Sequence, residues 1–473
     1  MEQKKYPVKK GDIYQFEIEK LAFGGAGVAR LDNYVVFIKG ALPGECVKAK
    51  VYKRKRSYAE ARLQEIVHRS TERIEAPCPF FEWCGGCTWQ NLSYEHQLKY
   101  KEAIVGESLH HIGGLEKIGV NEVIPSSNPF AYRNKMEFSF SDRRWLLPHE
   151  LGDDAISRDF ALGLHVPGAY DKILHIDHCL LQSETANEIL RFIQEYARTH
   201  HLAAYGIKSH QGFLRFLVIR QSSYTQKLMI NIVTAYKDVD SLRPLADQLI
   251  KKWSQVESVV NNINTRPAQI AVGEEEILLA GKAEIKEKLG PFEFSISANS
   301  FFQTNTMQAQ RLYDIVIQFA GLQSDDVVWD LYAGTGTISL FLAQKANYVI
   351  GFESAESAVA DARRNAAEHG LPNTSFIAGD LLKTLNNAQS NPDVIVTDPP
   401  RAGMHKKVIE AILQSEARTV VYVSCNPTTM ARDLNLLSAA YRIIEVQPLD
   451  MFPQTYHIET VAQLKRKSKK PEK

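Results

Sequence analysis

The feature that most constrains the fold is a change of rhythm near residue 300. From there the apolar runs VVWDLYA, NYVIGFE, TSFIAG, DVIVTD, TVVYVS and RIIEVQ alternate with helical segments such as SAVADARRNAAEHG. Continuous apolar strands separated by helices predict a doubly wound parallel sheet, buried on both faces. After its first strand stands Asp330-Leu-Tyr332-Ala-Gly334-Thr-Gly336, where glycines let the backbone pass close to a ligand. Glu353 ends the next strand, about twenty residues on, where a carboxylate can hold both hydroxyls of a ribose or merely cap the following helix. Ser339 stands where a nicotinamide-binding GxGxxG would have its third glycine, which disfavours a dehydrogenase. The fourth strand ends in Asp398-Pro399-Pro400-Arg401, a rigid, donor-poor edge. The fifth ends in Cys425, followed by Asn426-Pro427 and a helix whose positive pole is expected to lower the thiol pKa.

Upstream the pattern differs. At 473 residues the chain exceeds one ordinary core, and 44% hydrophobic with 23% charged residues is an ordinary globular composition. No apolar run reaches the roughly 18 residues of a membrane span, and the basic N-terminus has no apolar stretch behind it, so a cytoplasmic protein is expected. Residues 1–69 alternate polar and apolar positions with Gly punctuation, the pattern of a small all-β barrel. Residues 1–70 hold 15 Lys/Arg against 8 Asp/Glu, clustered in Lys48, Lys50, Lys53, Arg54, Lys55 and Arg56, whereas the remainder is acidic, 41 against 47. A basic module on an acidic body suits a polyanion. Residues 70–298 mix strands and helices without a βαβ rhythm, with a helix from Tyr94 to His110 and a polar insertion at 142–160, an α+β domain. Residues 299–466 carry the doubly wound sheet, and 467–473 read as a disordered tail.

Of six cysteines, Cys78, Cys84 and Cys87 form C-x5-C-x2-C, and Cys179 follows in HIDHC. Four thiolates are a full tetrahedral set for zinc or for a [4Fe–4S] cluster, and spacing does not choose between them. His175 and His178 are further zinc ligands in a rival arrangement, and Cys46 reads as an ordinary buried thiol.

Taken together, DLYAGTGTISL, GFE, DPPRAGMH, YVSCNPTT and a closing MFPQTYHIETVAQL resemble the RNA uracil-C5 methyltransferase family, in particular its 23S ribosomal RNA members with an N-terminal TRAM domain and an iron–sulfur cluster. AYRNKMEFSF, VVNNINTRP and ANSFFQTNTMQAQ support the likeness, which runs from about residue 10 to 466, and LAFGGAGVARLDNYVVFIKGALPGECVKAKV resembles the RNA-binding TRAM domain. The resemblance implies methyl transfer from S-adenosylmethionine to C5 of an RNA uracil, giving 5-methyluridine. Uracil C5 is a poor nucleophile. A thiolate adding to C6 creates an enolate whose C5 accepts the methyl group, and a base must then remove the C5 proton. By resemblance Cys425 is the nucleophile and Glu459 the base; Gln303, Tyr332, Gly334, Glu353 and Asp398 contact the cofactor, with Asp380 a lesser candidate for the adenine. Cys78, Cys84, Cys87 and Cys179 are implied ligands of a [4Fe–4S] cluster, in the role of a structural staple. Arg133, Lys135 and Arg401 touch RNA phosphate or form structural ion pairs; Ala333 departs from the Cys often found there without touching the catalytic set.

Large-subunit ribosomal RNA is the expected partner, transfer RNA the alternative, and a monomer without obligate protein partner or membrane contact is expected. A radical methylthiotransferase would need C-x3-C-x2-C, an adenine amino-methyltransferase an aromatic residue where Arg401 stands, and a non-catalytic assembly factor would leave Cys425 and Glu459 dispensable.

Overall fold

In the computed structural model, residues 6–385 and 390–468 are described; of the tail expected at 467–473, residues 469–473 lie outside them. The predicted α/β sheet is present with seven strands in the order Thr374–Ala378, Tyr348–Glu353, Val327–Leu331, Val394–Thr397, Thr419–Ser424, Glu459–Arg466 and Tyr441–Leu449. The first five are parallel, and Glu459–Arg466 inserts antiparallel between the fifth and sixth strands in chain order. This is the class I methyltransferase arrangement. Its central strands are largely apolar because helices shield them: Val408, Ile409, Met430 and Leu434 of the helices Lys406–Ser415 and Pro427–Leu437 join Trp329, Ile395, Val420 and Tyr422 in one cluster. Val105 and Leu109 of the helix Tyr94–His111 enter the same cluster. The strand order switches direction between the first and fourth strands, Val327–Leu331 and Val394–Thr397, at whose carboxyl ends folds of this kind bind ligands.

The N-terminal strands form one six-stranded sheet, mostly antiparallel, running from Ile13–Glu17 to Tyr58–His68. Alternation puts Phe16, Ala29, Val36, Ile38, Val47, Ala49, Ala59 and Ala61 into its own core, so the sheet curls around a single apolar centre. In the same contact unit, Lys20 pairs with Glu107 at 2.8 Å, and the Phe23 ring meets Tyr456 edge-on at 5.5 Å.

By contacts the chain forms two units: one takes the chain up to Arg73, Leu92–Ser127 and Met307 onward; the other takes Ile74–Asn91 and Asn128–Thr306. The second unit holds an eight-stranded sheet under the helices Glu184–Thr199 and Val239–Lys252. One βαβ unit hides in it: Leu228–Thr234 and Val256–Ile263 are parallel neighbours joined through the helix Val239–Lys252. It is a lone crossover whose other neighbours are antiparallel, so no βαβ rhythm runs through the segment from about 130 to 290. Within 142–160, Arg144–Trp145 pairs with Ile173–His175 rather than remaining a free loop. Among the described residues no helix is long and apolar enough to cross a membrane.

Candidate active site and RNA-binding surface

The sheet register alone brings Cys425 and Glu459 together. Ser424, the last residue of its strand, pairs with Thr460, so the next rung of the antiparallel ladder sets position 425 beside 459. Asn426 then caps the helix Pro427–Leu437, accepting from the Thr428 N–H at 3.1 Å. Its Nδ2 donates to the Arg401 carbonyl at 2.9 Å, and Thr429 Oγ1 donates to the same oxygen at 3.2 Å. The turn after the fourth strand is thereby tied to the turn after the fifth. Asp433 completes the tie, accepting from Met404 N–H and Tyr422 Oη, each at 2.8 Å.

Charge in this pocket runs against the expected lowering of the Cys425 pKa. Burial, then Glu459 and Asp398, push the thiol up to about 11, although Arg401 hydrogen-bonds it and pulls the other way. The helix N-terminus is where it was expected, with burial and two carboxyl groups acting against it. Glu459 is only 8% exposed, and burial and Asp398 hold its carboxyl well above the usual range, with Arg401 opposing. Asp398 is pushed to about 6 by burial, and the neighbouring Asp330 to about 7, also chiefly by burial. Asp398 thus disfavours ionisation of Cys425, Glu459 and Asp330, and Glu459 disfavours that of Cys425.

At the opposite side of the first strand's end, Tyr332 turns the chain with φ +64°, followed by Gly334 at +56° and Gly336 at +78°. A Cβ on Gly336 would lie 2.9 Å from both Ala362 and Phe376, so glycine is required there on two counts. Glu353 ties the glycine turn to the start of the next helix. Its Oε2 accepts from the Gly334 N–H at 3.1 Å, and its Oε1 accepts from Ala355 N–H, the N-cap of the next helix, at 2.9 Å. Asp398 N–H donates to the Leu331 carbonyl at 3.3 Å, so Tyr332, Gly334, Glu353 and Asp398 line adjacent carboxyl ends of three strands. Asp380 caps the short helix Leu381–Thr384 through the Leu382 N–H. Gln303 belongs to the other unit, where its carbonyl accepts from Asn134 Nδ2 at 2.7 Å.

Cys78, Cys84, Cys87 and Cys179 all line one cavity of about 260 Å³ in the second unit, with Phe80, Leu164 and Arg133. None is in a disulfide. Burial first, and then the other cysteines of the set, raise the thiols of Cys84 and Cys87 to about 12. Among the described residues no set of three or more His, Cys, Asp or Glu side chains is close enough to hold a metal ion. His178 lines the cavity; His175 does not, and burial lowers it to about 4. Lys135, on the cavity wall, pairs with Glu137 at 3.4 Å. Cys46 is half-buried rather than enclosed.

The basic run of the N-terminal module is partly neutralised by its own sheet. Lys48 pairs with Glu65 and Lys53 with Glu60, and Arg54 lies over the Tyr6 ring at 4.5 Å. What the fold assembles instead is a row across three strands: Lys39 stands opposite Arg62, and Arg62 opposite Lys50. All three are exposed, and none has an ion-pair partner among the described residues. The row gives this face of the sheet a concentrated positive charge. Primary sequence could not show it, because two of the three cations lie outside the run.

Comparison with known proteins agrees with this geometry. Residues 93–467 match the family model described as tRNA (uracil-5-)-methyltransferase, and residues 7–63 match the TRAM domain. An uncharacterised RNA methyltransferase of Chlorobaculum tepidum is 43% identical over 98% of this chain and 99% of its own length. One from Porphyromonas gingivalis is 41% identical over 95% and 99%. Among solved structures, the Pyrococcus abyssi tRNA (uracil-54, C5)-methyltransferase in complex with S-adenosyl-L-homocysteine aligns with a TM-score of 0.73 at 28% identity, covering 95% of this chain and all of that one. With a family model spanning most of its length and full-length relatives above 40% identity, the chain belongs to the RNA uracil-C5 methyltransferase family and carries an N-terminal TRAM domain.

Proposed function

We propose that this enzyme methylates C5 of a uracil in 23S ribosomal RNA through a covalent bond between Cys425 and uracil C6. The observation that carries the reading is the ladder register that sets Cys425 beside Glu459, with Arg401 hydrogen-bonded to the thiol. S-adenosylmethionine, when bound, supplies the methyl group; Tyr332, Gly334, Glu353 and Asp398 are the residues that would hold it. Cys425 loses its proton to solvent and adds to C6 as the thiolate, the charged form that Arg401 favours. After C5 is methylated, Glu459 in its ionised form takes the C5 proton, the C5–C6 double bond re-forms, and the C6–S bond breaks to release Cys425 as the thiolate. Enclosure suits Glu459 to this task, because a carboxylate of raised pKa is a stronger base than an exposed one.

The four thiols around one cavity match a [4Fe–4S] cluster in donor type and number, although they do not stand close enough together to hold a single metal ion, and Cys78, Cys84, Cys87 and Cys179 are the residues that would hold the cluster. A bound cluster supplies cross-linking of the segment 74–91 to the rest of its unit. We place the enzyme in the cytoplasm, acting as a monomer, with N-terminal, central and methyltransferase regions at about 1–69, 70–298 and 299–466. The Lys39–Arg62–Lys50 row supports RNA as the substrate. A second reading, transfer RNA, is favoured by the Pyrococcus abyssi neighbour, whose substrate is uracil 54 of tRNA. Incubating the protein with methyl-labelled S-adenosylmethionine and unmodified 23S rRNA or tRNA separates them. Labelled 5-methyluridine in the ribosomal RNA alone is expected, and label in tRNA alone overturns the choice.

A further inference from the structure

Glu459 is the first residue of its strand, paired with Leu449, so it sits on the terminal rung of the ladder. Between these two residues the segment 450–458 has no helix or strand, and Gln454 holds φ +68°. The ladder alone therefore leaves the approach to Glu459 unconstrained on one side.

Three fully buried side chains from outside the sheet hold that approach. Lys101, on the helix Tyr94–His111, donates to Asp450 Oδ1 at 2.6 Å and to the Phe452 carbonyl at 3.1 Å. One turn earlier, Gln97 makes a reciprocal pair with Gln454, its Nε2 donating to Gln454 Oε1 and its Oε1 accepting from Gln454 N–H, both at 3.0 Å. Gln308 Nε2 donates to the Asp450 carbonyl at 2.9 Å. Lys101, Gln97, Gln308 and Asp450 are each 0% exposed. The chain of bonds continues inside the loop: Thr455 Oγ1 donates to the Phe452 carbonyl, and His457 N–H donates to Thr455 Oγ1 at 3.1 Å, two residues short of Glu459.

A lysine and an aspartate enclosed together are an expensive way to stabilise a fold, since desolvating each ion costs several kcal/mol and an apolar pair of similar volume is often as stable. Such a pair is strong at fixing geometry, because either partner alone is intolerable. We propose that Lys101 and Gln97 are positioning residues that, by fastening the 450–457 loop, set Glu459 at the distance from which it removes the C5 proton. This rests on the reading of Glu459 as the base.

The test separates proton removal from the steps before it. Wild type, Lys101→Met, Gln97→Met and Glu459→Gln are compared in two assays: tritium release from RNA carrying [5-³H]uridine, and covalent trapping by 5-fluorouridine RNA, in which nothing leaves C5 as a proton. Expected for Lys101→Met and Gln97→Met is tritium release slowed about ten- to a hundredfold, the range of a misplacement near 1 Å. Trapping should stay within about twofold of wild type, and covalent adduct should accumulate on ordinary RNA. A merely structural role would reduce both rates in parallel, and that result, or unchanged tritium release, overturns the proposal. Should Lys101→Met fail to fold, Gln97→Met, which leaves no buried charge alone, gives the answer. Glu459→Gln with wild-type tritium release removes the base assignment itself; Glu459→Gln accumulating adduct while the other two do not removes only the positioning role.

Discussion

Replacing Arg401 with methionine addresses how the nucleophile is ionised. Cys425 is half-buried and its thiol is pushed up to about 11 by burial, Glu459 and Asp398. At pH 8 a thiol at that value is about one part in a thousand thiolate, a hundredfold less than an ordinary one. Arg401 opposes the rise with a charge-assisted hydrogen bond, a class worth about 1.5–3 kcal/mol. The arginine is exposed, so screening places it at the lower end, near 1.5 kcal/mol, which is about tenfold in thiolate. The assay is alkylation of the free protein by iodoacetamide from pH 7 to 10, with Cys425 followed by peptide mass spectrometry so that the other five cysteines do not interfere. Wild type should show a rate climbing about tenfold per pH unit without a plateau below pH 10. Arg401→Met should run parallel and about tenfold lower. A wild-type plateau below pH 9, or a variant alkylated as fast as wild type, refutes the reasoning: the helix N-terminus would then dominate after all.

Three further outcomes follow from the same coordinates. If Glu353 holds the cofactor as proposed, Glu353→Ala should weaken S-adenosyl-L-homocysteine binding by about ten- to a hundredfold in calorimetry, since the bond to Gly334 is lost as well; unchanged affinity would mean the carboxylate only caps its helix. Anaerobically prepared protein should contain about four irons and four sulfides per chain and lose them in Cys84→Ser; stoichiometric zinc without iron would replace the cluster assignment. Asp330, buried and bonded to Ser339 at 2.5 Å, has its pKa raised from 3.8 to about 7. The folded state thus holds a proton that the unfolded chain releases, so this group's stabilisation is full below about pH 4 and fades as pH rises through 7, by at most about 4 kcal/mol. Urea unfolding of Asp330→Asn should lose less stability than wild type between pH 4 and 7, and identical slopes would contradict the assignment.

How much of this was legible in the sequence depends on whether a feature is local. The five parallel strands were legible because each is a continuous apolar run, and the Gly334–Gly336 turn and the Pro399–Pro400 edge because backbone chemistry marks them. The proximity of Cys425 and Glu459 was suggested only by family likeness, since it depends on an antiparallel strand inserting between two others, which no pattern within 459–466 encodes. Helix capping at Asn426 was readable, but the upward shift of Cys425 was not, because Asp398 and Glu459 reach it through the sheet. The same holds for the cations. The run from Lys48 to Arg56 is visible in one line of sequence, whereas the Lys39–Arg62–Lys50 row exists only once three strands pair. The helical pattern from Tyr94 to His110 does not show that Lys101 is wholly enclosed against Asp450, because that pairing joins residues far apart in the chain.

The central claim is a covalent bond from Cys425 to the target uracil, and trapping tests it most directly. Wild-type protein, 5-fluorouridine RNA and S-adenosylmethionine should yield a denaturation-stable complex whose digest carries a methylated fluorouridine on the peptide containing Cys425, and Cys425→Ala should give neither complex nor methylated RNA. Undiminished methylation by Cys425→Ala, or an adduct mapped to any other residue, would contradict the account.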